Sequence, residues 1–152
     1  MKNLLFRFMG LVFILTQISC STSRSKVPSR IGITPLQHYS LADNNNVQDT
    51  TYKVFRTDEE FTKTFITFST GAKKPGFSGQ IAVAILSKNP SSLRFQRAEH
   101  SGPRINIYAQ SCTTAQANCI TGTVFLATVP KVSNAKSVQF FIDSAVKSIV
   151  EL

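Results

Sequence analysis

Hydrophobic residues along this chain fall into short blocks, and most of the blocks have the period of a β-strand. Tyr52 to Arg56 form the first. Ile81, Val83 and Ile85 then alternate with Ala82, Ala84 and Leu86, so that run has apolar residues on both faces, as a central strand does. Leu93, Phe95 and Arg97 alternate with Arg94, Gln96 and Ala98, and Ile105, Ile107 and Ala109 with Asn106, Tyr108 and Gln110. Val124 and Leu126 face away from Phe125 and Ala127, and Pro130 stops that run. Val138, Phe140 and Ile142 close the series. Turns are expected at Asn89–Pro90–Ser91–Ser92 and at Ser101–Gly102–Pro103.

One block has a different period. Phe61, Phe65 and Phe68 recur at i, i+4 and i+7, a helical stripe. Thr57 and Glu60 ahead of it have capping-box spacing. Asp58, Glu59 and Glu60 place negative charge at the helix N-terminus, where the dipole favours it. The pattern predicts a helix over about 58–68, with the acids explained by capping rather than catalysis. The tail from Ser144 to Leu152, with Val146, Ile149 and Val150, is expected to be a short helix. The fold class is therefore α+β, mainly an antiparallel β sheet or sandwich of about six strands with one short helix.

The N-terminus is organised differently. Lys2 and Arg7 supply positive charge ahead of a short apolar run from Phe8 to Leu15. That run is far below the ~20 residues of a spanning helix and has the proportions of a secretory signal. Ser19–Cys20 at its end resembles the lipobox of bacterial lipoproteins, in which the cysteine is lipidated and becomes the first mature residue. Gln17 departs from the aliphatic residue usual three positions earlier. An ordinary signal peptide with a chance cysteine is the competing reading. Residues 1–19 are thus read as a lipoprotein signal peptide, 20–50 as a lipid-anchored polar tether and 51–152 as a single β-rich domain. Within the tether, Ile31 to Leu41 carry enough apolar residues for an edge strand, and Pro35 would confine it to an edge. Arg24, Lys26 and Arg30 lie near the lipid, where they could meet anionic headgroups, although a solvated linker is the favoured reading of this stretch. Ser21 supplies no Asp-type retention signal. By analogy the expected location is the cell envelope at the outer membrane.

Composition changes the picture only after this division. The full chain of 152 residues has 17 Lys and Arg, 8 Asp and Glu, and a net charge of +9. Removal of residues 1–19 takes Lys2 and Arg7 and no acid, leaving 15 basic against 8 acidic residues, a net +7. At 42% hydrophobic and 16% charged the chain is too apolar for intrinsic disorder. With Cys20 assigned to lipid, Cys112 and Cys119 remain as a pair in an exported chain, where oxidation is favoured. They flank a polar stretch between two strands expected to pair as a hairpin. A disulfide there would stabilise the fold by about 2.5 kcal/mol on the chain-entropy model. The spacing fits neither the C-x-x-C redox motif nor common zinc sites.

Candidate chemistry is sparse. His38 lies in the tether, His100 in a turn beside Glu99, and Ser78 in Gly76–Phe77–Ser78–Gly79, one residue short of G-x-S-x-G. No paired carboxylates, calcium loop or dinucleotide fingerprint occurs. No catalytic residue, metal or cofactor is assigned. Arg94, Arg104, Asn106 and Tyr108 are expected to share one exposed basic face, suited to an acidic partner surface or anionic envelope polymers. Nucleic acid is not an expected partner, because the basic residues are spread out and the chain is exported.

The order strand, T-D-E-E-F helix, apolar strand and V-P-K ending resembles the C-terminal domain of protease-complex accessory lipoproteins, the PrcB-like family. The resemblance rests on Val54 to Phe61, Phe65, Phe77, Ser78, Ile81, Val83 and Ile85, and more weakly on Val129, Pro130 and Lys131. Asn89–Ser92 and the cysteine pair depart from the family pattern. The resemblance implies a non-enzymatic, lipid-anchored envelope protein that binds or stabilises another envelope or secreted protein such as a protease. The alternative is a β-sandwich hydrolase inhibitor acting through the disulfide-stapled loop. On the lipoprotein reading, Cys20→Ala abolishes both signal cleavage and acylation. Palmitate labelling and membrane fractionation check this, and labelling of the variant would refute it.

Overall fold

A computed structural model describes residues 27–42 and 47–152. The signal peptide, Cys20, the basic residues before Val27 and the Asn44–Asn46 run lie outside the described residues. Ten strands and one helix follow in order. They are β1 (Ser29–Ile31), β2 (Thr34–Leu36), β3 (Tyr39–Leu41), β4 (Thr51–Phe55), α1 (Asp58–Thr64), β5 (Phe65–Thr67) and β6 (Gln80–Ser101). Then come β7 (Arg104–Ser111), β8 (Ile120–Pro130), β9 (Ser137–Ile142) and β10 (Ala145–Glu151). Eight strands form one sheet with the path β10-β9-β7-β6-β8-β2, and β1 and β4 also pair with β6. β3 and β5 make a separate two-stranded sheet. Every pairing is antiparallel except β7 with β9. The α+β fold with a mainly antiparallel sheet and one short helix is therefore the observed one.

The 22-residue β6 organises the rest. Its first half pairs with β4 and β8, and its second half with β1 and β7. The turn expected at Asn89–Ser92 does not reverse the chain. Five steps along β6 from Leu86 to Ser91 face only two along β8 from Val124 to Gly122. The turn residues are absorbed as a bulge, which bends a strand without ending it. The next reversal is where expected, at Gly102 and Pro103, with Gly102 at φ 57. A glycine at the first position of a two-residue hairpin turn takes that angle at no steric cost.

Ile81 to Leu86 are buried on both faces. Ile81, Val83 and Ile85 join Phe125, Ala127, Ile105, Ile107, Val138 and Phe140 in one core, enclosed by both halves of the bent sheet. Ala82, Ala84 and Leu86 join Leu36, Leu41, Phe55, Phe61 and Phe65 in a second, beneath α1 and the β3–β5 pair. The small side chains of Ala82 and Ala84 leave room for three phenylalanines. Phe61 meets Phe55, Phe65 and Phe77 with ring centroids 5.0–5.8 Å apart.

Three expectations about the elements need correction. First, residues 20–50 are not wholly a tether, because β1, β2 and β3 lie within them. Ile31 and Ile33 pack on the first core, and Leu36 and Leu41 belong to the second. The edge strand expected within Ile31–Leu41 is thus present, as parts of three short strands. Pro35 sits in β2, the last strand on the sheet path, where its missing N–H is tolerated.

Second, α1 ends at Thr64 rather than 68. Thr57 accepts from the Glu60 N–H at 3.2 Å, and Glu60 reaches back to the Arg56 N–H at 3.2 Å. Phe65 is already extended, and β5 pairs with β3. The β-branched Ile66 and Thr67 suit that strand. Phe68 is consequently 68% exposed, whereas Phe61 and Phe65 are buried.

Third, the tail is a strand, not a helix. Asp143 and Ser144 both adopt positive φ, 51° and 67°, as in a tight hairpin turn. A bulge between Val146 and Ser148 then puts Val146 and Ile149 opposite Phe141 and Gln139 on one face. The bulge reproduces the spacing of three that suggested a helix.

Phe61→Ala should destabilise the protein by about 3–5 kcal/mol in urea denaturation. Phe68→Ala should stay within about 0.5 kcal/mol of wild type. Equal effects would contradict the helix boundary.

Candidate binding face

The outer face of the β1-β6-β7-β9-β10 half-sheet follows from the ladder register, because directly paired residues share a face. Arg104, Asn106, Tyr108 and Gln110 are the outward residues of β7, since Ile105, Ile107 and Ala109 are buried. Across β6 they pair with Ser101, Glu99, Arg97 and Arg94. All four residues expected on the basic face, Arg94, Arg104, Asn106 and Tyr108, are thus brought together.

Arg97 is the residue the alternation misplaces. Strict period two puts it opposite Arg94. A bulge at Gln96 shifts the register between Phe95 and Arg97 and turns Arg97 outward, while Ala98 becomes fully buried. Such a one-residue insertion leaves no mark in hydrophobic periodicity.

The face is graded. One row runs Arg30, Glu99, Asn106, Gln139 and Ile149 from β1 to β10, and the next runs Arg97, Tyr108, Phe141 and Val146. The β1–β6 side is basic and the β9–β10 side is apolar. Arg97 donates from Nε to Glu99 at 2.8 Å, and its guanidinium lies 3.9 Å over the Tyr108 ring. Tyr108 stacks on Phe141 at 4.6 Å between centroids. Arg94 donates from Nη2 to Gln110 at 2.8 Å, and Arg104 from Nη1 to Gln139 at 3.4 Å. The stack continues into Val146 and Ile149, each 52% exposed. Burial, and then the Glu99 carboxylate, push the Tyr108 hydroxyl pKa above its ordinary value, so it remains a neutral hydrogen-bonding group.

Cys112 and Cys119 form a disulfide, with Cα atoms 6.0 Å apart. The bridge does not staple a β7–β8 hairpin. Both strands pair with β6, and the loop passes between them at the β6 bend, where the Cys112 N–H donates to Ser92 O at 3.0 Å. Residues 113–118 are exposed and coil through consecutive turns.

The other singled-out groups do not assemble into a reacting centre. His38 precedes β3, at φ 68 and edge-on to Phe68. Ser78 is exposed in the turn before β6. His100 pairs with Ile105 near the end of β6, its Nε2 enclosed without a hydrogen-bond partner. Among the described residues, no group of three or more His, Cys, Asp or Glu is placed to hold a metal ion. No helix among them is long and apolar enough to cross a membrane.

No protein-family model, characterised protein or solved structure matches this chain.

The apolar side of that face is held by Asp143. Its carboxylate accepts from the Ser111 N–H at 2.9 Å and the Ser111 hydroxyl at 2.7 Å, tying the β9–β10 turn to the end of β7. These bonds lower its pKa below the ordinary carboxylate value. With the folded-state pKa depressed, the contribution to stability is present above the unfolded-state value. It is lost as pH falls through the folded-state value. Asp143→Asn, which tolerates the same left-handed backbone, should lower Tm at neutral pH. Its difference from wild type should shrink as pH falls below the ordinary carboxylate range. A difference independent of pH would refute the role of the charge.

Proposed function

We propose that this chain is a non-enzymatic, lipid-anchored protein of the bacterial cell envelope that binds another envelope or secreted protein through the outer face of β7, β9 and β10. The observation that carries the reading is the run Tyr108, Phe141, Val146 and Ile149. Half-buried aromatic rings leading into exposed aliphatic side chains, beside arginine and amide groups, have the make-up of an interface centre and its rim. Tyrosine and arginine are the residue types most often found to dominate binding energy. Arg104 at the edge suits a partner with an acidic residue beside an apolar patch. A secreted protease is the partner that the likeness to accessory lipoproteins suggests. The lipid anchor would hold the domain at a membrane surface while this face stays free.

A hydrolase inhibitor working through the 112–119 loop is the second reading. Protease clefts commonly take an extended segment by strand addition. This loop turns twice within six residues, which favours the sheet face over the loop.

A photo-crosslinking residue in place of Ile149 should capture a defined protein in the native envelope. One in place of Lys74, outside this face, should not. Tyr108→Ala should then weaken binding to the purified partner by roughly 30-fold, the size of a central interface residue. Capture from position 74 alone, or unchanged affinity in Tyr108→Ala, would refute the assignment.

A further inference from the structure

The basic end of the outer face has a feature that partner binding on the apolar end leaves unused. Beside the disulfide-closed loop lies an open cleft of about 510 Å³, lined by Arg30, Arg94, Gln96, Arg97 and Asn118, with no carboxylate in its wall. Three separate elements build it. Arg30 comes from β1, Arg94 and Arg97 from β6, and Asn118 from the loop. Two local devices bring them together. The bulge at Gln96 turns Arg97 to the side of Arg94. The Cys112–Cys119 bridge closes the loop that holds Asn118 at φ 60.

The protein leaves these guanidinium groups incompletely matched. Arg94 spends Nη2 on Gln110, while its Nε is enclosed and has no hydrogen-bond partner. Arg97 spends Nε on Glu99, and Arg30 lies across the ladder from the same Glu99. Glu99 contacts Arg97 alone among them, so three arginines stand against one neighbouring carboxylate, an excess of about two positive charges at an open cleft. A planar guanidinium offers paired donors that fit phosphate oxygens.

We propose that this cleft binds the phosphate groups of anionic lipid headgroups and seats the domain on the membrane that anchors it. The proposal rests on the lipid-anchor reading for its location. Arg30 follows Cys20 by ten residues. A separation of ten residues spans at most about 35 Å. Anchored at Cys20, the cleft samples headgroups at high effective concentration, so weak intrinsic affinity suffices. Charge attraction acts only within a Debye length of about 8 Å, which makes the short tether decisive. With its basic end down, the domain would leave the β9–β10 side for a protein partner.

The test uses the chain from residue 20 with Cys20→Ser, so that acyl chains contribute nothing. All residues of both cores lie within it. It should co-float with phosphatidylcholine vesicles containing phosphatidylglycerol and not with phosphatidylcholine alone. Arg94→Gln with Arg97→Gln should reduce that binding by roughly 25-fold, about fivefold per arginine, with the fold retained by circular dichroism. Lys73→Gln with Lys74→Gln removes the same charge elsewhere and should leave binding within about twofold. Equal losses in the two pairs would overturn the cleft in favour of net charge. No binding to the anionic vesicles would overturn the proposal. So would saturation of the cleft by free glycerol phosphate with no vesicle binding, because it assigns a soluble ligand. None of these outcomes depends on acylation, which palmitate labelling of the natural chain tests separately.

Discussion

The double burial of Ile81–Leu86 is the constraint from which the rest of this structure follows. A strand with apolar side chains on both faces has to be covered on both. On one side the sheet covers it by bending over itself. On the other, α1 and the β3–β5 pair bring three phenylalanines over Ala82 and Ala84. Backbone groups along the same strand must also be paired on both edges, and β4 and β8 do this. The chain then needs a continuation of β6 that joins a second set of partners. The bulge after Leu86 provides it without breaking the strand.

The bend produces a half-sheet with one face on the shared core and one in solvent. Its outer surface carries the candidate binding groups, and its composition is set by bulges. At Gln96 an inserted residue turns Arg97 outward to lie over Tyr108. At the β10 bulge, Val146 and Ile149 come onto the same side, beside Phe141. One shift enriches the basic end and the other the apolar end. The face is therefore polarised, and two kinds of partner can be seated on it without competing for the same residues. The disulfide belongs to the basic end. It orders a loop at the point where the chain passes from one side of β6 to the other, which is a different task from stapling a hairpin.

Much of the core was legible in the sequence. Alternation located the inward residues of β6, β7, β8 and β9, because each side chain there packs against the nearest layer and period two follows directly. The capping residues Thr57 and Glu60 located the start of α1. Its end was less legible, because Phe68 continues the helical spacing while the backbone leaves the helix to pair with β3. Of the candidate face, Arg94, Arg104, Asn106 and Tyr108 could be read from alternation alone. Gln139 and Phe141 alternate outward in the same way, but their place beside Asn106 and Tyr108 depends on the parallel β7–β9 pairing, and Arg97 and the exposed pair on β10 could not be read at all.

Local order along the chain determined the fold class, the double burial of β6, the cysteine pair as a disulfide and the four outward residues that lie between bulges. Those features depend on neighbours within a few positions, and periodicity records such neighbours. The tertiary structure alone decided which strands 29–41 pair with, that Asn89–Ser92 bend a strand instead of reversing it, and that β7 and β8 each take β6 as partner. It alone assembled Arg30, Arg94, Arg97 and Asn118 around one cleft. These outcomes depend on pairing between residues far apart in the chain and on bulges that reset the face of every residue beyond them. A one-dimensional pattern carries no information about which distant edge is free to be paired.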